Sequence, residues 1–335
     1  MPRTRASAST PPQPGDSPNQ SSRSPKKILV LAGGSVKGAF QAGAVRAVLE
    51  AGFHPDWIYG ISAGGMNGTF LVNEIGRQAT EGQEVDWKQA SQELCRIWTE
   101  RITSPESLAL RRGTYELGLS ALRRNFEGLL DTTPLRELLT ETIDAEQLLA
   151  SSVGLKVGAV DVTDGRIVYA EPNFPYFLDY VMASSAIPIL MPIVLIGGNP
   201  AMPYLDGGIR DVAPIRKAIA DGASEIVCIA CHNQELHGQS FAYGNLLALV
   251  DRAMDIAVNE ILNSDLEWAE FFNALLPEDG SEVPTGVLKG YRKMKLTLIR
   301  PTAPLNVDIQ AFTADDIQRL IAIGYQRGRE VMEKG

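Results

Sequence analysis

The stretch "WIYGISAGGMNGTFLV" (residues 57–72) decides the fold. Its first five residues form a short apolar run, the pattern of a strand buried on both faces. Its last ten, "AGGMNGTFLV" (63–72), are small and apolar and read as a helix. Between them stands Ser62, with Gly60 and Gly64 two residues away on either side. A strand that runs into G-x-S-x-G and straight out into a helix is a nucleophile elbow. The glycines allow the sharp turn and let another molecule approach the hydroxyl, while the helix N-terminus favours negative charge. The motif alone is weak; its place between strand and helix gives it weight.

The same arrangement occurs once upstream. "ILVLA" (28–32) is a second apolar strand, followed by a glycine-rich turn and a helix, "AFQAGAVRAVLEA" (39–51), closed by Gly52. The chain therefore opens β-turn-α-β-turn-α, which predicts an α/β fold with a mostly parallel central sheet. Residues 84–150 read as helical with interrupting loops. Strands return at 155–160 and 166–170, joined by "TDG" (163–165), and again at 193–196, 225–231 and 295–300. Long helices are expected near 243–275 and 313–333.

Composition narrows the function. The 335 residues are 44% hydrophobic, enough for a large core, and the net charge of -9 argues against a nucleic-acid partner. Residues 1–27 are rich in Pro, Ser and Gln and carry net charge +4, so a disordered, solvated tail is expected, with residues 28–335 as one catalytic domain. No apolar leader of the Sec type is present, and the most apolar stretch, "AIPILMPIVLIGG" (186–198), is too short to span a bilayer and is cut by Pro188 and Pro192. The expected setting is the cytoplasm, with any membrane contact peripheral. The oligomeric state is not legible. Three cysteines (Cys95, Cys228, Cys231) give no disulfide framework. Cys228 and Cys231 form C-x-x-C inside an apparent buried strand, where residues three apart face opposite sides, so neither metal nor redox chemistry is expected there.

A serine nucleophile needs a base. Three histidines (His54, His232, His237) are present, none in an obvious catalytic setting. "PYLDGGIRD" (203–211) offers a carboxylate instead: Asp206, followed by Gly207 and Gly208 on a tight turn. Alone this is a turn signal. The missing histidine makes Asp206 the natural candidate, because burial beside the nucleophile raises a carboxylate pKa towards useful basicity. The turn "AGGSVKG" (32–38) is neither a dinucleotide fingerprint, since Ser35 stands at the middle glycine place, nor a Walker A loop, since Ala39 and Phe40 follow Gly38. It is a plain strand-to-helix turn or an oxyanion hole, whose backbone N–H groups would face a tetrahedral intermediate.

Together these segments resemble the patatin-like phospholipase family. The resemblance spans almost all of residues 28–333. It rests on "GGSVKGAFQAG" (33–43), "GISAGGMNG" (60–68), "ASSAIPILMP" (183–192) and "DGGIRDVAP" (206–214), with softer similarity in "GLLDTTPLRELL" (128–139) and "KVGAVDVTDGRIVY" (156–169). It implies a three-layer α/β/α sandwich related to the α/β-hydrolases and a Ser–Asp dyad without histidine. Ser62 would be the nucleophile, Asp206 the base, and the N–H groups of Gly33, Gly34 and Ser35 the oxyanion hole. Lys37 fits the family's basic place and Gly38 closes the loop. Ser35 stands where the family has a third glycine and is less free to adopt positive φ. Met191 stands at an aromatic place in a segment implied to line the acyl pocket or pack beside it. The implied substrate is a phospholipid or other acyl lipid, with no cofactor and no metal.

Two alternatives stay open. One is an ordinary Ser62–Asp206–His232 triad, in the chain order of α/β-hydrolases. Against it, Ser62 lies only 34 residues after Ile28, leaving no room for the strands that precede that elbow. The other is an inert lipid-binding protein of the same fold. Finally, "LEWAEFFNALL" (266–276) groups Trp268, Phe271, Phe272, Leu275 and Leu276, as an interfacial segment or as core.

Overall fold

The computed structural model describes residues 26–113, 128–235 and 246–334. The two opening strands are present as β1 (Lys26–Leu31) and β2 (Trp57–Ile61). Each turns into a helix: α1 (Gly38–Glu50) after a 3-10 turn at Ser35–Lys37, and α2 (Ala63–Thr80) directly after Ser62. Lys26 and Lys27 belong to the sheet, not to the expected tail, whose residues 1–25 lie outside the described residues.

The region 84–150 is only partly helical. α3 (Trp87–Arg96), capped by the Asp86 carboxylate, runs into a π-helical turn at Ile97–Arg101. β3 (Leu110–Arg111) then pairs antiparallel with β4 (Leu130–Asp131), before α4 (Thr133–Thr142) and α5 (Ala145–Ala150). Two-residue strands carry no periodicity, so nothing in the sequence signalled them. The chain continues through β5 (Gly154–Asp161), β6 (Ile167–Ala170), α6 (Phe177–Ser184), β7 (Val194–Leu195) and β8 (Pro203–Asp206). It ends with α7 (Ile215–Ala220), β9 (Ala223–Ile229), α8 (Leu246–Ala274), β10 (Lys295–Ile299) and α9 (Ala314–Met332). Residues 203–206, where the sequence shows only a turn signal after Asp206, form a strand.

The main sheet runs β10-β9-β1-β2-β5-β8-β7, with β6 also on β5. From β10 to β5 every pairing is parallel; β6, β8 and β7 join antiparallel. Along β1, Leu29 and Leu31 face a core shared with α1, α2 and α9, while Ile28 and Val30 face a second core under α7 and α8. The result is a three-layer α/β/α sandwich. In one outer layer α9 lies backbone-to-backbone on α1: a Cβ added at Gly324 would sit 1.8 Å from the Phe40 carbonyl oxygen.

The register of β5 places the site. Gly158 pairs with Ile61 of β2 and with Tyr169 of β6; Ala159 pairs with Val168 of β6 and with Asp206 of β8. A residue bridges two strands only from opposite edges, so β8 occupies the edge on which β2 has just ended. The end of β2 and the end of β8 therefore meet one residue apart along β5, which brings Ser62 to Asp206.

Candidate active site

Ser62 sits in the turn after β2 at φ 54°, ψ −127°, a conformation uncommon for a residue with a Cβ. Two constraints hold it there. The backbones around the turn approach so closely that a Cβ at Gly64 would lie 2.1 Å from the Leu31 carbonyl oxygen, and one at Gly60 2.4 Å from that of Gly64. The Ser62 N–H also donates to Ser184 Oγ at 2.8 Å, from the last residue of α6. Ser184 lies inside the quoted segment 183–192, but nothing in the sequence gave it this role. Behind the hydroxyl, α2 begins with its N-terminus towards the turn, favouring negative charge at Ser62.

Asp206 ends β8 and is buried, as is Ser62. Its Oδ1 accepts the Gly208 N–H at 2.7 Å. Burial raises its pKa to about 7, against the opposing pull of the Gly208 N–H and the Ser62 hydroxyl. The carboxylate next to the candidate nucleophile is thus a far better base than an aspartate in water.

The turn after β1 completes this wall. A Cβ at Gly33 would stand 3.3 Å from Ser62 Cβ, so the two turns touch. Ser35 adopts φ 51°, the positive value its missing glycine would have taken freely. The Gly33 N–H donates to the Val212 carbonyl at 3.0 Å and is therefore committed. A buried polar chain steadies this turn from below. Trp98 Nε1 donates to Asn67 Oδ1 (2.7 Å), and Asn67 Nδ2 donates to the Gly38 carbonyl (3.0 Å) and Gln41 Oε1 (2.9 Å). Gln41 Nε2 then reaches the carbonyls of Ala32 and Ile229, each at 3.1 Å.

Ser62, Asp206, Gly33, Gly34, Ser35 and Lys37 line one cavity of about 230 Å³, with Gly208 beside them. Gly38, Gly60, Gly64 and Gly207 stand behind its surface and shape the turns. The opposite wall comes from α8 and from residues 304–309. There the Asp255 carboxylate accepts from Lys37 Nζ (2.9 Å), faces His232 Nε2 (3.1 Å) and meets Arg252 Nη1 (3.3 Å). Burial alone would raise the Asp255 pKa, but hydrogen bonds from His232 and Lys37 and the charge of Lys37 outweigh it and hold the carboxyl well below its ordinary range. Burial and the charge of Lys37 lower the His232 pKa and favour its neutral form.

The geometry does not assemble the triad: the hydrogen-bond partner of His232 Nε2 is Asp255, not Ser62 or Asp206. His54 stacks on Trp87 at 4.5 Å, and His237 lies outside the described residues. Cys228 ends inside β9, whereas Cys231 lies beyond it; both are buried free thiols, and burial raises the Cys231 pKa to about 12. Among the described residues no group of three or more His, Cys, Asp or Glu side chains is arranged to hold a metal ion.

The segment 266–276 divides. Phe272 and Leu276 are buried in the second core and Trp268 stacks on Phe272 at 4.9 Å, while Phe271 and Leu275 are exposed. Asn273 exchanges hydrogen bonds with the backbone of Met294, just ahead of β10. This end of α8 therefore lies at the strand starts, across the sheet from Ser62.

Residues 29–219 match the family model described as patatin-like phospholipase. The uncharacterized protein YjjU of Escherichia coli (strain K12) is 31% identical over 205 residues, which cover 60% of this chain and 50% of that protein. The chain thus spans about half the length of the curated relative it matches. Similar solved structures include VipD from Legionella pneumophila (15% identity, TM-score 0.40, 92% of this chain and 67% of that one). Another is human GIVD cytosolic phospholipase A2 (11% identity, TM-score 0.48, 92% and 58%). With the family model covering more than half of its length, the chain belongs to the patatin-like phospholipase family.

Proposed function

We propose that this protein hydrolyses acyl esters of lipids, with Ser62 as nucleophile and Asp206 as its base. The observation that carries the reading is the buried Asp206 carboxylate, its pKa raised to about 7, against a serine in a strained elbow. Ser62 Oγ attacks the ester carbonyl carbon while its proton passes to Asp206. The N–H groups of Gly34 and Ser35 receive the oxyanion. Collapse of the tetrahedral intermediate breaks the ester C–O bond, and the leaving alkoxide takes the proton from Asp206. A water molecule then attacks the acyl-enzyme, gives a proton to Asp206, and releases the fatty acid as Ser62 recovers that proton.

Family membership supports the substrate class. Contact with a lipid surface is peripheral in this proposal. Among the described residues no helix is long and apolar enough to cross a membrane, and the exposed Ile189, Ile193 and Leu195 follow closely on Ile187, which lines the cavity.

The test is turnover of a short p-nitrophenyl ester. Ser62→Ala and Asp206→Asn are expected to lose about 10³-fold or more in kcat, and a His232→Ala, His237→Ala double variant to stay within about threefold of wild type. An equal collapse of the histidine variant would return the base to a histidine.

A further inference from the structure

Two fully buried side chains behind the oxyanion turn have no part in the mechanism: Cys231, the second thiol of the C-x-x-C pair, and Gln41 of α1. The Cys231 side chain rests on the α-carbon of Gly34. A Cβ added at Gly34 would stand 2.3 Å from Cys231 Cβ and 2.7 Å from its Sγ. Cys231 and Gly34 both line the catalytic cavity. Gln41 holds the two strand ends that place this contact. β1 and β9 stay paired as far as Leu31 and Ile229, and the Ala32 N–H still donates to the Ile229 carbonyl at 3.1 Å. The next N–H, that of Gly33, turns away to Val212. Where the strands part, Gln41 Nε2 donates to the carbonyls of Ala32 and Ile229, each at 3.1 Å, and lies 3.7 Å from Cys231 Sγ. Its Oε1 accepts from Asn67 Nδ2 at 2.9 Å, which fixes the way the amide faces.

We propose that Gln41 and Cys231 are positioning residues for the reaction, holding the Gly34 N–H where it meets the oxyanion. This role rests on Ser62 as nucleophile and on the Gly34 and Ser35 N–H groups as the donors. Glycine has no side chain by which packing can hold it, so its place is set by whatever touches its backbone. At Gly34 that is Cys231. Gln41 fixes the distance between the two, since Ala32 stands two residues before Gly34 and Ile229 two residues before Cys231. One amide bound to both carbonyls thus ties together the chain segments that carry the contact. An oxyanion donor works at about 2.7–3.1 Å from a charge that develops only in the transition state. A misplacement of about 1 Å costs about 10²-fold, so small movements of Gly34 act on kcat rather than on KM. Burial raises the Cys231 pKa to about 12. The thiol therefore stays neutral and contributes by shape, not as a charge or a nucleophile.

The measurement is kcat and KM on p-nitrophenyl butyrate, per mole of folded enzyme. Circular dichroism and urea unfolding give the folded fraction, so a loss of stability alone leaves kcat unchanged. Cys231→Val branches at Cβ and presses on Gly34. It is expected to lower kcat about tenfold or more, with KM within about twofold of wild type. Cys231→Ser keeps the size and the unbranched Cβ and is expected to stay within about threefold in kcat. Gln41→Met keeps the length of the side chain but not its donors, and is expected to lose about tenfold in kcat. If that variant does not fold, the contrast between the two Cys231 variants decides. A Cys231→Val kcat within about threefold of wild type, an equal fall in Cys231→Ser, or a loss confined to KM overturns the positioning role, with Ser62→Ala still inactive. A folded Gln41→Met with wild-type kcat overturns it for Gln41. If Ser62→Ala turns the ester over like wild type, the nucleophile falls and the positioning role with it.

Discussion

The two walls of the Ser62 cavity are built in different ways. One wall consists of three chain turns: Gly33–Ser35 after β1, Ser62 after β2 and Asp206 after β8, all inside the family-matched residues 29–219. The other consists of one face of α8 and the segment 304–309, beyond that match. Strand ends fix side chains by backbone geometry, so the first wall has little freedom once the sheet forms. A helix face is placed by packing, and its Asp255 is held by Arg252 of the same helix and from outside it by Lys37 and His232. The first wall is suited to chemistry and the second to binding.

The sharpest way to break that division is kinetic. Asp206→Asn is expected to remove about 10³-fold or more of kcat, whereas Arg252→Ala is expected to cost less than about 30-fold and to do so mainly through KM. Steady-state kinetics on one ester decides it, and comparable losses in kcat from both walls would erase the distinction.

A second prediction follows from the raised pKa of Asp206. The folded value is about 7 against 3.8 for the free group, so the native state holds a proton that the unfolded state releases between those values. Stability therefore falls as pH rises from about 4 to 7, by up to on the order of 4 kcal/mol at about 1.4 kcal/mol per unit. Asp206→Asn lacks this penalty. Its stability relative to wild type is expected to grow across that window and to level off above it, read from urea unfolding at pH 4.5 and 8. Activity should move oppositely in the wild type, with kcat/KM rising as the base loses its proton near pH 7. A stability difference that ignores pH would mean that Asp206 is not buried as a poor carrier of charge.

The same contrast explains what the sequence revealed. The elbow, the upstream glycine turn and Asp206 were legible because each depends on residues adjacent in the chain: apolar runs, glycines at fixed spacing, a carboxylate before two glycines. So were the parallel core of the sheet, the start of α2 and the long helices α8 and α9. The bond from the Gly33 N–H to the Val212 carbonyl was not legible, because it joins residues 179 positions apart in sequence. The pairing of His232 with Asp255 and the exposure of Phe271 and Leu275 beside the buried Phe272 and Leu276 were hidden because they too depend on the tertiary fold. β8 and the β3–β4 ladder were too short for their periodicity to show. Ser184 ends a helix that the sequence does not announce, and its role lies in the hydrogen bond it accepts from the Ser62 N–H.

Beneath the first wall, the chain Trp98–Asn67–Gln41 joins α2, α1, β1 and β9 through hydrogen bonds between fully buried groups. Asn67→Leu is expected to destabilise the fold by about 2–4 kcal/mol, because it removes the partner of the buried Trp98 N–H and of the Gln41 side-chain oxygen. Arg252→Ala on the opposite wall, where the pair with Asp255 is only partly buried and Asp255 keeps its other partners, should cost about 1 kcal/mol or less. Urea midpoints at a fixed pH compare the two. Equal losses would mean that the helix wall is as deeply built into the fold as the turns.

The smallest effect tests the turn wall at its one irregular position. Ser35 holds φ 51° with a Cβ present, a conformation that costs an L-residue about 1–2 kcal/mol. Ser35→Gly removes that strain but frees the unfolded chain, which offsets about 0.5–1 kcal/mol. The net gain in stability is expected to be about 1 kcal/mol or less. The N–H is unchanged, so kcat should stay within about threefold of wild type. If the backbone alone makes Ser35 an oxyanion donor, this variant is the one change to the turn wall that the enzyme tolerates. A drop in kcat approaching that of Ser62→Ala would show instead that the Ser35 hydroxyl takes part, and that the wall relies on a side chain where only the backbone has been given a role.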